Sequence, residues 1–144
     1  MYRAGNERTG NSIFNIPAAA GVELKEATMM AINASGYAEP ASAKEGITIA
    51  GCVQKYSDNR LGKDGDIQVN VKRGTYVWNN DGTIQDTDIL KECYVKDETT
   101  VTITAAGSSR AGIILAVESD GVVVDMAQNR VLAVNETAEE NKGE

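Results

Sequence analysis

The chain has 144 residues, a length that suits a single domain able to bury its own core. It carries 21 acidic against 14 basic side chains and no histidine, for a net charge of −7. That balance argues against a nucleic acid partner, and the missing imidazole removes the commonest general base and metal ligand.

The apolar residues are mostly Val, Ile and Ala, aromatics are 5%, and there are 14 Gly but only 2 Pro. β-Branched residues in short runs broken by Gly predict an all-β fold. No apolar run reaches the roughly 18 residues of a membrane helix. The opening "MYRAGNERTGN" lacks an apolar signal core, so the chain is expected to be made in the cytoplasm, with Cys52 and Cys93 as reduced, buried thiols.

In chain order, residues 1–21 read as an extended N-terminal arm. It is polar at first and then apolar at Ile13, Phe14 and Ile16, a cluster that docks either on its own core or on a neighbour. "ATMMAI" predicts a strand, Asn33–Gly36 a turn and Tyr37 the start of a return strand. "EGITIAGCVQKY" alternates, with Ile47, Ile49, Gly51 and Val53 on one face. Residues 57–66, "SDNRLGKDGD", form a projecting polar loop. Thr87–Leu90 is a short helical or turn segment before a strand at Cys93–Lys96. "TTVTITAA" alternates again. "GIILAVESDGVVVDM" is a hairpin with Asp120–Gly121 at its tip, and "RVLAV" is a candidate last strand. The body, 22–134, is therefore a small compact β-barrel or sandwich of about 7–9 short strands, followed by an acidic flexible tail over 135–144.

The stretch "IQVNVKRGTYVWNN" changes phase. Val69 and Val71 share one face, yet Tyr76 and Trp78 fall on what had been the polar one. A β-bulge at Gly74 accounts for this and lets Arg73 emerge sideways; the alternative is a strand covered on both faces. Arg73, Tyr76 and Trp78 are thus core or interface residues, and an exposed Tyr76–Trp78 pair would make a carbohydrate platform.

Nothing in the sequence assembles into a catalytic set. The two cysteines have neither a histidine nor a C-x-x-C spacing, and "AAGSSRAG" lacks the helix and the Lys-Ser/Thr ending of a phosphate loop. The pairs Asp64/Asp66 and Asp86/Asp88 read as turn formers, because their surroundings do not fit a calcium loop. The expectation is a non-enzyme with no catalytic residues, no metal and no cofactor.

Five blocks, in order, resemble the capsid cement, or head decoration, proteins of tailed phages. They are "MMAINASGYAEPASAKEG", "ITIAGCVQKYSDN", "VKRGTYVWNN", "LKECYVKDETTVT" and "SRAGIILAVESDGVVVD", together covering about residues 22–126. The resemblance implies a β-barrel-like domain on the exterior of the virion capsid. There it would bridge neighbouring major capsid subunits, as a trimer or other small homo-oligomer, and strengthen the expanded head. Neither nucleic acid nor membrane is an expected partner. In that role Arg3 and Arg8 would pair with acidic capsid groups, and Ile13, Phe14 and Ile16 would anchor the arm. The alternative is another virion module, a tail, head–tail or adhesion component that binds a receptor or glycan.

Overall fold

The structure is a computed structural model that describes Gly5 and residues 12–131. Twelve strands occur among the described residues: β1 (Ile13–Pro17), β2 (Glu23–Leu24), β3 (Met29–Ile32), β4 (Ala38–Pro40), β5 (Thr48–Val53), β6 (Ser57–Asp58), β7 (Gln68–Lys72), β8 (Thr75–Asn80), β9 (Glu92–Asp97), β10 (Thr100–Thr102), β11 (Arg110–Glu118) and β12 (Gly121–Asp125). A single 3₁₀ turn, Asp86–Asp88, lies between β8 and β9. The all-β expectation holds. The strands number more than 7–9 because β1 forms within the expected arm, and β2 and β6, two residues each, pair within what reads as loop.

Two layers share the chain. β1-β7-β5-β3-β4 form one sheet, and β10-β8-β12-β11-β9 close into a barrel. Ala18 bridges Ala38 in parallel, and the Ala19 amide donates to the Ala38 carbonyl at 2.9 Å. The end of β1 is thereby drawn round to β4, curving the sheet over its own core.

That curvature gives two apolar clusters. The barrel interior holds Trp78, Val95, Val101, Ile114, Val122 and Val124, and the sheet contributes Met29, Ala31, Ile49 and Cys52 to the same cluster. The sheet's other face supplies Met30, Ala50, Val53, Val69 and Val71 to a second cluster that also holds Leu24. Both faces of β3 and β5 are therefore buried, which explains their near-continuous apolar sequence.

The alternation expected for β5 is corrected here. Ile49 and Val53 do not share a face, since Ile49 points to the barrel and Val53 to the second cluster. The register jumps from Met30↔Gly51 to Ala31↔Ile49, leaving Ala50 as an extra residue. Such a bulge turns every later side chain over.

The stretch 67–80 is also corrected. Val69 and Val71 are buried before the phase change and Trp78 after it, but the cause is a change of sheet rather than a bulge. β7 ends at Lys72 in the first sheet, and β8 begins at Thr75 in the barrel. The hairpin tip moves by one residue as well: Glu118 pairs with Gly121, so Ser119 and Asp120 form the turn.

Gly51 shows how tightly the bulge is built. Its φ is +151°, and a Cβ there would stand 2.4 Å from the Lys72 carbonyl oxygen. Gly51→Ala is expected to lower the unfolding free energy by about 2 kcal/mol or more, read as a lower urea midpoint. An unchanged midpoint would mean the bulge is not a fixed feature of the sheet.

Candidate functional site

The arm expected over 1–21 is a strand from Ile13 onward. β1 pairs antiparallel with β7 along its length, from Ile13↔Lys72 to Pro17↔Gln68. Phe14 and Ile16 pack against the second cluster, while Ile13 stays 49% exposed. Two of the three apolar arm residues thus pack, partly buried, on their own domain, the first of the two alternatives. Arg3 and Arg8 lie outside the described residues, as do 132–144, which include most of "RVLAV" and the whole acidic tail.

Tyr76 and Trp78 come together, while Arg73 bonds to a different segment, residues 127–129. Trp78 is 5% exposed, and its indole N–H points at the Met126 sulfur at 3.2 Å. The Tyr76 ring lies 6.0 Å from it, centroid to centroid, tilted by 46°, and the Tyr76 hydroxyl donates to the Lys72 carbonyl at 3.2 Å. With its indole inside the barrel, this pair is not a carbohydrate platform. Arg73 stands where the chain crosses from sheet to barrel. Its guanidinium donates to the carbonyl of Ala127 and, at 2.7 Å, to that of Asn129. The Asn129 amide in turn donates to Ile49 at 3.0 Å and to Ala111 at 2.7 Å. One arginine and one asparagine therefore strap residues 127–129 across the junction of β5 and β11.

Three of the four paired aspartates serve backbone geometry. Asp64 accepts from the Ala20 amide at 2.7 Å, and Asp66 accepts from that of Lys63 at 2.9 Å. Asp88 accepts from the Gln85 amide at 2.8 Å and from the Lys91 ammonium at 3.2 Å, contacts that hold its carboxyl below the usual range. Among the described residues no group of three or more His, Cys, Asp or Glu could hold a metal ion, and no helix is long and apolar enough to cross a membrane.

The surface feature that sequence reasoning missed is a set of apolar side chains held out in water by well-bonded loops. Leu61 is fully exposed, at 104%. Its loop is pinned by the buried Asn59, whose amide donates to Ala19 at 2.8 Å and to Lys63 at 3.0 Å. The Gly62 and Gly65 amides donate to Asn59 and Ala18, at 3.1 and 2.8 Å. Beside it the Arg60 guanidinium grips Asp58 through two 3.0 Å bonds and holds that carboxyl down at about 2.

Leu90 is 70% exposed and adopts φ +71°, a left-handed conformation that costs a branched residue roughly 1–2 kcal/mol. Its amide is fixed to the Ile114 carbonyl at 2.7 Å. Ile89, its chain neighbour, and Leu115, the residue after its Ile114 partner, are each 40% exposed. On the adjoining barrel wall β12 lies between its neighbours, with Val123 opposite both Val77 and Ala116. The sequence signal was faint: a lone leucine within "SDNRLGKDGD" and the pair Ile89–Leu90 within "DTDILKE".

Comparison with protein-family models, curated proteins and solved structures gives no match for this chain.

Two expectations follow. Arg73→Ala should lower stability by about 1–3 kcal/mol in urea unfolding, since charged hydrogen bonds to two carbonyls are lost; wild-type stability would show the strap to be incidental. The second concerns pH. Burial pushes the Cys93 thiol up to about 12 and raises Cys52 too. An unfolded thiol ionises near about 8.5, so above that pH the unfolded chain sheds a proton that the folded one keeps. Stability should fall as pH rises from about 9 towards about 12, by up to roughly 1.4 kcal/mol per pH unit from Cys93. Cys93→Ser should flatten that decline, and an unchanged slope would contradict it.

Proposed function

We propose that this chain is a structural virion protein, binding the outside of a phage capsid lattice and cementing neighbouring major capsid subunits. The observation that carries the reading is Leu90. An exposed leucine in a left-handed conformation is unfavourable twice over, once for the backbone and once for the side chain, and the amide bond to the Ile114 carbonyl fixes the backbone while leaving the side chain 70% exposed. Contact with a partner would offset it. Leu61, standing on its cross-bonded loop, presents a second such prong.

A protein that holds tiles together needs stiffness and several modest contacts. Each buried leucine contributes about 1.5–3 kcal/mol, and contacts on a repeating lattice reinforce one another through effective concentration. The order of sequence blocks over 22–126 that resembles cement proteins supports the same reading, as does the β-rich build. In this reading the partner is the major capsid protein, and the chain acts as a small homo-oligomer, a trimer being the favoured form. The segment before Ile13, with Arg3 and Arg8, would supply additional charged contacts.

The test uses isolated expanded and unexpanded shells of the phage that encodes the chain. Wild-type protein should saturate expanded shells and bind unexpanded ones weakly. Leu61→Ser and Leu90→Asn should each weaken binding about tenfold or more. Leu90→Asn should leave the fold as stable as wild type or stabler, because asparagine tolerates the left-handed conformation. Removing residues 1–11, which spares β1, should also weaken binding. Bare expanded shells after incubation with wild-type protein, or variants that bind like wild type, would overturn the reading.

A further inference from the structure

The outer wall of the barrel carries an apolar row. Trp78, Val122 and Val124 point into the core, so strand alternation turns Val77 and Val123 outward. Val123 stands opposite Val77 on one side and Ala116 on the other. Leu115 is the extra residue of the β11 bulge beside Ala116, and the Ile114 carbonyl before it receives the Leu90 amide. The row thus crosses β8, β12, β11 and the segment before β9, about 15 Å at the usual strand spacing. One outward position nearer the hairpin tip, about 7 Å along the strands, the wall turns polar. There Gly121 lies opposite Glu118 and, having no side chain, leaves a depression of about 440 Å³ lined by Asn79, Glu118 and Asp120. Glu118 and Asp120 are exposed, and neither joins an ion pair among the described residues. β8, β11 and β12 hold a single base, Arg110, and Glu92 takes it at 3.0 Å. Lys91, next to Leu90, is taken by Asp88 at 3.2 Å. The wall therefore joins apolar surface to unpaired negative charge and offers no free base of its own.

We propose that this wall docks a segment of a partner protein that presents apolar side chains with a lysine or arginine about 7 Å away from them. Charge complementarity selects that chemistry. The apolar side chains would cover Val77, Val123 and Leu115, and the cation would enter the depression between Glu118, Asp120 and Asn79. A second copy of the same wall does not meet the requirement, because it brings carboxylates towards carboxylates and no unpaired base. The inference rests on the cement reading for the partner's identity, the major capsid protein, and adds the place on this chain where that partner's cation must lie.

Binding of the full-length chain to isolated expanded shells, measured from about 0.05 to about 0.5 M salt, tests it. Wild-type affinity should fall as salt rises. The double variant Glu118→Gln, Asp120→Ser should bind about fivefold or more weakly at low salt and lose most of that salt dependence. The double variant Val77→Thr, Leu115→Thr keeps residues suited to strands and should bind about tenfold more weakly at every salt concentration. Both variants should unfold near the wild-type urea midpoint and sediment as wild type does. Wild-type affinity and salt dependence in both, with wild-type protein saturating the shells, would overturn this inference and leave the cement reading standing. A lower association state of the Val77→Thr, Leu115→Thr variant in free solution would also overturn it, because a second copy would then cover the wall. Shells left bare by the wild-type protein would overturn the cement reading and this inference with it.

Discussion

Both faces of β3 and β5 are buried, and the rest of the fold is arranged around that demand. A strand pair of this kind must serve two cores at once, so its side chains are apolar throughout and its register has no solvent-facing side to absorb an error. The extra residue at Ala50 resolves the conflict by reassigning the side chains after it, and only a glycine at 51 lets the Lys72 carbonyl approach. β7 can then end against β5 and the chain can cross into the barrel at Arg73–Gly74. The strap from Arg73 through Asn129 ties the crossing to both layers. The junction is held by side-chain hydrogen bonds to four backbone carbonyls.

Much of this was legible in the sequence, and the failures have physical reasons. The phase change between Val71 and Trp78 could be read from alternation, because burial leaves a period-two mark. Whether a bulge or a change of sheet caused it could not, since both give the same local pattern and only the partner strands tell them apart. The reversal within β5 was hidden because Ile49, Ala50, Cys52 and Val53 are all apolar enough for either face. The pairing of β1 with β7 joins Ile13 to Lys72, a contact far along the chain that no local pattern encodes. Phe14 and Ile16 therefore read equally well as anchors for a neighbour or for the domain itself.

The surface candidates were harder still. A lone leucine in a polar loop carries no periodicity, and single exposed apolar residues are common on soluble proteins. Leu61 and Leu90 become informative only once their loops prove well bonded and the backbone of Leu90 proves left-handed. Conversely, Tyr76 and Trp78 drew attention as the conspicuous aromatics and turned out to be packing groups. Of the aspartates that could have suggested chemistry, Asp64, Asp66 and Asp88 accept from backbone amides. The picture is of a two-core domain that holds apolar side chains out on well-bonded loops.

The central claim, that this chain works as an exterior adhesive of the phage head, is tested most directly by its stoichiometry and accessibility on purified mature heads. Quantitative mass spectrometry after surface labelling of intact particles should find it labelled, at a copy number comparable with that of the major capsid subunit. Its absence from the heads, a handful of copies per particle, or protection from the label would contradict the account.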